Sequence, residues 1–391
     1  MDTLRLGVVG LGSRGFSLLQ LFLKMEQVKV VAVCDTYEDR VQKASDKVVE
    51  MGQPKPLETL DYKEMVTRDV IDCLVIATSW RNHVEIATYA MKQGVAVGSE
   101  VGGAACVEDC FELVRVWEET KTPYMFCENC NYGERELMVL NMVKKGLFGE
   151  IVHCEGGYCH DLRDQIALGR EKRHYRLDEY LNHNCENYPS HELGPIMNVL
   201  DINKTNRLVS LSSFASKARG VNEWAKTNKP EMADTKFAQG DIVTTVITCA
   251  NGETITLVLD TTLPRSYSRR FTVRGTKGMY MEDNDSVFFN TDDLSLHLPA
   301  VWKDHWGNAV EYNKEHAHPI WANITEEEKA AGHGGMDYLC YSDFFNCVLE
   351  GKPMPIDVYD GATIMAISPL SELSIKMGGM PVKIPDFKGN K

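Results

Sequence analysis

The sequence predicts an α/β fold for its first third, followed by an α+β domain built on an open, mainly antiparallel sheet. The first observation is a regular alternation of apolar strand-like runs with amphipathic helical stretches through residues 1–128. The second is a glycine-rich turn that joins the first strand to the first helix. The third is a succession of strand-like runs between residues 208 and 275, two of which meet at the hairpin signal Asn251-Gly252. We therefore expect two domains, residues 1–128 and residues 129–391.

Strands and helices alternate in the first domain in the way that produces a parallel sheet with helices on both faces. The predicted strands are Leu4–Val9, Val28–Cys34, Cys73–Ala77, Val95–Gly98 and Tyr124–Cys127. The predicted helices are Phe16–Leu23, Tyr37–Met51, His83–Lys92 and Val107–Glu119. Ligands of such sheets bind at the carboxyl ends of the strands. This rule places Asp35, the Thr78–His83 loop, Glu100 and Glu128–Asn131 along one rim.

The turn after the first strand carries Gly10, Gly12 and Gly15, which is the G-x-G-x-x-G spacing of a dinucleotide-binding Rossmann fold. The first glycine permits a tight turn, the second lets the backbone approach a pyrophosphate, and the third lets the helix lie close to the strand. The helix N-terminus offers unpaired N–H groups and a partial positive charge to the phosphates. The second strand ends at Asp35, whose carboxylate would bind the ribose hydroxyls of NAD and repel the 2′-phosphate of NADP. NAD is therefore the predicted cofactor.

The alternation of strands and helices ends after a helix predicted over Glu134–Lys145. The predicted strands of the second domain are Ile151–Tyr158, Leu208–Phe214, Asp241–Cys249, Thr254–Asp260 and Phe271–Gly275. Residues 159–190 are polar and predicted as loop, Ile196–Leu200 is predicted helical, and 281–332 is predicted to be rich in loops. Two closing helices are predicted over Met336–Leu349 and Val358–Met377, the last packing back towards the first domain. Successive antiparallel strands make an open sheet, whose outer face we expect to pair subunits into a homo-oligomer.

Composition excludes several classes of function. The formal net charge of −14 disfavours nucleic acids and anionic membrane surfaces as partners, and no apolar run approaches the roughly 20 residues that span a bilayer. The start of the chain shows no signal peptide, and a chain of this length with 12 cysteines is not a disulfide scaffold, so we expect a reducing cytoplasm. Cys127-x-x-Cys130 lacks a second pair at zinc-ribbon spacing, so no metal is expected.

Two polar clusters could carry chemistry. Tyr158 and His160 alternate at the end of a strand and would point the same way, although an open sheet face also carries solvated polar groups. Ser190 could cap a helix that begins near Glu192, which places His191 in its first turn. The helix dipole there disfavours a protonated imidazole and suits a neutral base, but His191 could equally be a residue of the capping turn. Arg176 and Tyr267 are types that bind sugar hydroxyls.

These residues resemble a known family. The nucleotide half is similar to the Gfo/Idh/MocA oxidoreductases, but Glu100-Val101 stands where their sugar dehydrogenases usually show Glu-Lys-Pro, so the usual catalytic lysine is absent. Glu-Val is similar instead to the NAD-dependent redox glycosidases of glycoside hydrolase family 109, whose founding activity is α-N-acetylgalactosaminidase. Blocks that also resemble that family are Cys127–Tyr132 with Arg135-Glu136, Glu155–Leu162, Asn187–Pro195, Asp260–Arg269 and Gly332–Asp337. The resemblance covers nearly the whole chain.

The resemblance implies a set of site residues. NAD contacts fall on Gly10, Gly12, Ser13, Arg14, Gly15, Asp35, Trp80, Arg81, Asn82, His83, Glu100, Val101 and Asn129. Sugar contacts fall on Tyr158, Arg176, Tyr188, Ser190, His191 and Tyr267, and Tyr158 and His191 are the predicted catalytic acid/base pair. The chain departs from the family pattern at Ser190 (usually Thr), Glu192 (usually Gly) and Glu186-Asn187 (usually Asn-Leu), which changes the wall of the sugar pocket.

The resemblance also implies a reaction. A glycoside is oxidised at C3 by bound NAD, the C1 substituent is eliminated, water adds, and the sugar is reduced again, so that no net oxidation occurs. This chemistry needs a base near the C3 hydroxyl, a second base near C2 and donors for the enolate oxygen. One alternative is an NAD-dependent sugar dehydrogenase that releases NADH, and another is a non-catalytic NAD-binding sensor.

Overall fold

The computed structural model describes residues 3–290 and 305–389. The chain divides into two compact units, each made of two segments. The first unit comprises Met1–Asn129 and Ile324–Ala366, and the second comprises Cys130–Asn323 and Ile367–Lys391. The domain limits expected from the sequence, 1–128 and 129–391, stay a prediction.

A six-stranded parallel sheet forms the centre of the first unit. Its strands are β1 (Leu4–Val9), β2 (Val28–Cys34), β3 (Leu57–Thr59), β4 (Cys73–Ile76), β5 (Ala96–Ser99) and β6 (Tyr124–Phe126). They lie in the order β3-β2-β1-β4-β5-β6, so the strand order reverses between β1 and β4. β4, β5 and β6 are buried along their whole length, as expected for apolar strands covered on both faces. This arrangement confirms the predicted Rossmann sheet.

The helices of the first unit follow the strands along the chain. They are α1 (Ser13–Phe22), α2 (Glu38–Glu50), α3 (His83–Lys92) and α4 (Val107–Thr120), together with α11 (Glu326–Ala330) and α12 (Met336–Glu350) from the second segment. Each of α1 to α4 buries an apolar stripe, for example Leu18, Leu19 and Phe22 of α1. α12 also belongs to this core, because the rings of Tyr341 and Phe345 pack edge-on against Phe22.

An eight-stranded mixed sheet is the centre of the second unit. Its strands are β7 (Ile151–Cys159), β8 (Leu208–Ala215), β9 (Ile242–Cys249), β10 (Thr254–Asp260), β11 (Thr272–Gly275), β12 (Gly278–Met281), β13 (Ser286–Phe289) and β14 (Val382–Lys383). The order is β13-β12-β11-β7-β10-β9-β8-β14. Only the β7–β10 pairing is parallel among these described strands, so the sheet is mainly antiparallel, as predicted.

One face of this sheet is buried and the other is open. Along β9, Val243, Thr245 and Ile247 are buried, whereas Thr244, Val246 and Thr248 alternate with them on the open face. The hairpin predicted at Asn251-Gly252 joins β9 to β10, and Gly252 has a positive φ of 104° that favours glycine.

The helices of the second unit include α8, which packs on the buried face of the sheet. The helices are α5 (Glu134–Lys144), α6 (Arg163–Ala167), α7 (Arg176–Asn182), α8 (Ser190–Val199), α9 (Gly220–Asn228) and α10 (Ala309–His316). A Cβ added to Gly156 of β7 would lie 2.6 Å from the Cβ of Glu192, so only glycine lets α8 approach β7 this closely. A final helix, α13 (Val358–Lys376), has residues in both units.

Three expectations are corrected. The polar stretch 159–190 is not simply loop, because α6 and α7 form within it, and the helix expected at Ile196–Leu200 already begins at Ser190. Within the stretch 281–332, residues 291–304 lie outside the described residues, but β13, α10 and α11 flank them.

None of the helices among the described residues is both long enough and apolar enough to cross a membrane.

Candidate active site

The glycine turn of the first unit has the geometry that a dinucleotide needs. Gly10 has a φ of 88°, and a Cβ added to it would lie 2.5 Å from the backbone of Ala77. A Cβ added to Gly15 would lie 1.8 Å from the carbonyl oxygen of Gly10, so helix and strand touch here. Gly12 is different, because the nearest atom to an added Cβ is 3.6 Å away, on the guanidinium of Arg40. The side of Gly12 is therefore open, as a backbone cradle for a pyrophosphate requires.

Asp35 lies directly after β2 and is tied to the glycine turn. Its carboxylate accepts hydrogen bonds from the backbone N–H of Leu11 at 2.7 Å and of Tyr37 at 3.0 Å. The guanidinium of Arg40 lies 3.6 Å from the same carboxylate. Asp35 therefore sits where the ribose of a bound dinucleotide is expected, and Arg40 is a neighbour that sequence reasoning did not identify.

The loop Trp80–His83 is partly buried. The indole of Trp80 packs against Gly102, where an added Cβ would lie only 2.3 Å from the ring. The imidazole of His83 lies 3.2 Å from the carbonyl oxygen of Thr78, and burial lowers its pKa. Arg81 and Asn82 are exposed, so they are the members of this loop that a ligand can reach.

Three of the predicted NAD contacts meet in a hydrogen-bonded network. Arg14 donates to Glu100 at 2.8 Å and makes two hydrogen bonds to Asp337, at 2.6 and 2.9 Å. Asn129 donates to the same Asp337 carboxylate at 2.7 Å. Burial would raise the pKa of Asp337, but the hydrogen bonds from His333 and Arg14 hold it well below its usual value. Asp337 closes one of the blocks that resemble the family, but the sequence gave it no role at the cofactor site, since 323 residues separate it from Arg14.

The second unit gathers aromatic and basic side chains at the end of β7. The ring of Tyr158 lies 4.2 Å from that of Tyr188 and 5.7 Å from that of His191, measured between centroids. The Tyr188 hydroxyl lies 3.4 Å from Nε2 of His191. The guanidinium of Arg176 lies 5.9 Å from the centre of the Tyr158 ring and 5.3 Å from that of Tyr188. Four of the predicted sugar contacts thus form one cluster.

Arg176 gives this cluster a buried positive charge. It begins α7, is 8% exposed, and donates to the side-chain oxygen of Gln165 at 2.5 Å. Burial alone would lower its pKa, but the neighbouring tyrosines, Tyr158 first among them, raise it above the ordinary value. The guanidinium is therefore a fixed cation that favours an anionic oxygen nearby. Gln165 lies in the stretch that was read as loop, so the sequence gave no reason to select it.

Ser190 and His191 open α8, but not as expected. The N-cap position belongs to Pro189, no side chain caps the helix, and Ser190 is its first residue. The prediction that Ser190 caps this helix was therefore wrong. Its hydroxyl is buried and has no hydrogen-bond partner among the described residues. His191 lies in the first turn, as predicted, and is half-buried.

Tyr267 lies at the margin of the cluster. Its side chain is 52% exposed, and its ring lies 5.3 Å from that of His160. His160 in turn lies 5.9 Å from Tyr158, so it links Tyr267 to the buried rings. Burial lowers the pKa of His160, which favours its neutral form. The second unit therefore offers a surface of phenol, imidazole and guanidinium groups suited to a polyhydroxylated ligand.

Each of the two units contains residues that match the model of a protein family. Residues 4–127 match the model described as "Oxidoreductase family, NAD-binding Rossmann fold". Residues 132–391, more than half of the chain, match the model described as "Glycosyl hydrolase 109, C-terminal domain".

Curated relatives match almost from end to end. A glycosyl hydrolase family 109 protein of Stenotrophomonas maltophilia is 38% identical over 98% of this chain and 88% of that protein. A protein of Tannerella forsythia named alpha-N-acetylgalactosaminidase is 36% identical over 98% of this chain and 86% of that protein.

Solved structures share the fold at low identity. Levoglucosan dehydrogenase in complex with NADH and levoglucosan is 18% identical, with a TM-score of 0.72 over 98% of this chain and 100% of that chain. The myo-inositol 2-dehydrogenase from Lactobacillus plantarum is 17% identical, with a TM-score of 0.66 over the same shares. These structures share the fold of this chain along nearly its whole length. The family models and the curated relatives show that the chain belongs to glycosyl hydrolase family 109 and is an NAD-dependent glycosidase.

Proposed function

We propose that this enzyme hydrolyses a glycoside, an α-N-acetylgalactosaminide being the first candidate, by transient oxidation at C3 of the sugar. The observation that carries the proposal is the cluster of Tyr158, His191 and Arg176 in the second unit, which combines two proton-transfer groups with a buried cation. The candidate substrate comes from the names of relatives from Tannerella forsythia and Shewanella oneidensis. The glycine turn, Asp35, Glu100 and Asn129 support NAD binding by the first unit.

Bound NAD supplies the hydride acceptor for C3 and returns the hydride after hydrolysis. The residues of the chain must then move two protons, one at the C3 hydroxyl and one at C2. We assign these transfers to Tyr158 and His191, which lie side by side at the end of β7 and in the first turn of α8. Positioned acids and bases of this kind contribute on the order of 10²- to 10⁴-fold to a reaction rate.

Arg176 stabilises the anionic oxygens that this chemistry creates. Removal of the C2 proton places negative charge on the C3 oxygen, and deprotonation of Tyr158 would place it on the phenol. A cation already buried beside the Tyr158 ring lowers the energy of either anion without having to move. The C1–O bond then breaks, and the aglycone leaves as an alcohol with the proton that was taken from C2. Water gives its hydroxyl to C1 and its proton to C2, so the hydrogen at C2 of the product comes from solvent.

The remaining predicted sugar contacts position the sugar. The faces of Tyr188 and Tyr267 offer flat apolar surfaces for the C–H groups of a pyranose, and their hydroxyls offer hydrogen bonds. The buried Ser190 hydroxyl, which has no partner among the described residues, is a donor and acceptor for one sugar hydroxyl.

Two measurements on the purified enzyme test the proposed function. We expect aryl α-N-acetylgalactosaminide to be cleaved without accumulation of NADH, and the released sugar to carry solvent deuterium at C2 when the reaction is run in D₂O. Release of NADH with each product would show a sugar dehydrogenase instead. Cleavage without deuterium at C2 would refute the elimination step.

We further propose that the enzyme is a homo-oligomer that pairs through the open face of the eight-stranded sheet. This face is rich in Thr, Ser and Val, and it exposes Val246 (41%) and Phe214 (59%). An open sheet face that exposes large apolar side chains is a common site of subunit contact.

We also propose that the enzyme works in the cytoplasm. All its cysteines are free, and ten of them are buried as small apolar side chains, as suits a reducing compartment. Fractionation of the source cells with detection of the protein by antibody tests this location. Recovery from the medium or the cell envelope would refute it.

A further inference from the structure

Helix α12 lies far along the chain from the strands of the Rossmann sheet. Its side chains nevertheless hydrogen-bond to the polar residues of the first unit's cofactor site. Asp337 and Tyr341 lie four residues apart on α12, so they share one face of the helix. Asp337 accepts hydrogen bonds from Arg14 and Asn129, and the Tyr341 hydroxyl donates to Glu100 at 2.8 Å. The side chains of Asp337, Tyr341, Glu100 and Asn129 are nearly or wholly buried.

The network lies in the half of the fold that takes the nicotinamide. A dinucleotide lies across the point where the strand order reverses, here between β1 and β4. Asp35 follows β2 and marks the side that binds the adenosine ribose. Glu100 follows β5 and Asn129 lies beyond β6, on the opposite side of the reversal, so they face the nicotinamide half.

The network carries more negative than positive charge. Two carboxylates, Glu100 and Asp337, share the single guanidinium of Arg14. His333 lies 2.8 Å from the Asp337 carboxylate through Nδ1, and an imidazole adds a charge only when protonated. The nicotinamide ring is positively charged when oxidised and neutral when reduced. An excess of buried negative charge therefore favours binding of the oxidised form over the reduced form.

We propose that Asp337 is a positioning residue that fixes Arg14 and Asn129 at the nicotinamide half and, together with Glu100, makes the site prefer NAD⁺ over NADH. This inference rests on the NAD contacts assigned in the proposed function. It fits a cofactor that must begin each turnover oxidised, since an enzyme that kept NADH could not oxidise the next glycoside. Asp337 acts through the residues it holds, and no proton or hydride passes to it.

The ratio of the two bound forms tests the proposal directly. Holoenzyme is equilibrated at one fixed pH with mixtures of NAD⁺ and NADH of known ratio. The bound ratio is then read by chromatography. We expect the wild-type protein to enrich NAD⁺ over the free mixture. Asp337→Asn should lower that enrichment on the order of five- to twentyfold, the effect of removing one unit charge from a partly buried site.

Three further variants separate charge from structure. Glu100→Gln removes the other carboxylate and should lower the enrichment in the same direction, so the proposal stays testable if Asp337→Asn does not fold. Tyr341→Phe removes a hydrogen bond and no charge, so it should leave the ratio within about twofold. Glu350→Gln is the matched control, because it removes an exposed carboxylate of the same helix about 20 Å away.

A purely structural role for Asp337 would weaken both cofactor forms equally and leave their ratio unchanged. That result, or a wild-type site without preference for NAD⁺, would overturn the inference. Neither result bears on whether the enzyme takes up solvent deuterium at C2, so failure here is distinguishable from failure of the proposed function.

Discussion

At the scale of single residues, Tyr158 is the side chain on which the proposed chemistry most depends. Tyr158→Phe keeps the ring against Tyr188 and removes only the hydroxyl, so packing should survive while proton transfer is lost. We expect kcat for glycoside cleavage to fall at least about 100-fold, with the content of bound NAD unchanged. Tyr62→Phe is the control, because it removes a hydroxyl that donates a hydrogen bond to the exposed Glu85 of the first unit. A Tyr158→Phe enzyme with normal kcat would exclude the phenol from proton transfer.

Glu186 gives a prediction on pH. Burial raises the pKa of this carboxyl from 4.5 to about 8. The folded chain therefore holds a proton that the unfolded chain has released. Its contribution to the free energy of unfolding is fully present below about pH 4.5 and is lost as the pH rises through about 8.

Glu186→Gln cannot ionise, so we expect its stability to fall less than that of the wild type between about pH 5 and about pH 9. Thermal denaturation at both values measures the difference. Glu223→Gln, at a side chain that is 74% exposed, should behave like the wild type. Parallel pH profiles for Glu186→Gln and the wild type would show that this carboxyl does not titrate in the folded state.

At the scale of elements, substitutions at different glycines of the glycine turn should affect NAD binding and stability separately. A Cβ at Gly12 meets nothing closer than 3.6 Å, and the residue has an ordinary φ of −63°. Gly12→Ala should therefore fold with an unchanged Tm in the absence of NAD, yet bind NAD at least about tenfold more weakly, because the methyl group occupies the pyrophosphate side of the turn.

Gly15→Ala is the contrasting variant. Its Cβ would lie 1.8 Å from a backbone oxygen, so the helix must move away from the strand and stability should fall by several degrees of Tm or more. An equal loss of Tm in Gly12→Ala and Gly15→Ala would contradict this difference between the two glycines. So would unchanged NAD affinity in Gly12→Ala, measured by titration calorimetry.

Elements with a strong local pattern were predictable from the sequence. β1, β2, β10 and α3 have the bounds that the sequence indicated, because apolar runs end there at glycine, charged or polar residues. The two-residue strand β14 and the five-residue α6 were missed, since segments so short carry no periodicity. They form because their neighbours hold them: Val382 pairs with Leu211 of β8, and Ile166 is buried.

The candidate site was predictable only in part, for a similar reason. Tyr158, Tyr188 and His191 were found through local motifs, and the structure brings them together. Tyr341 and Gln165 carry no such signal, and the block that ends at Asp337 did not show which residues Asp337 contacts. The roles of these three side chains depend on contacts with residues that are distant in the sequence or lie in a stretch that looks like loop. Tertiary contact, and not local propensity, decides these positions.

At the scale of the whole molecule, the open sheet face bears on the oligomeric state. Val246 lies on β9, directly across from Ser212 of β8 and Thr256 of β10, and is 41% exposed. In an oligomer that pairs through this face, Val246→Glu would bury an unpaired charge at the subunit interface. The monomer should still fold, because this side chain already faces solvent there. We expect sedimentation velocity to show a smaller species than the wild type, with an unchanged circular dichroism spectrum. Leu60→Glu, a matched change at an exposed leucine of the first unit, should leave the sedimentation coefficient as it is. An oligomer that survives Val246→Glu would place the subunit contact elsewhere.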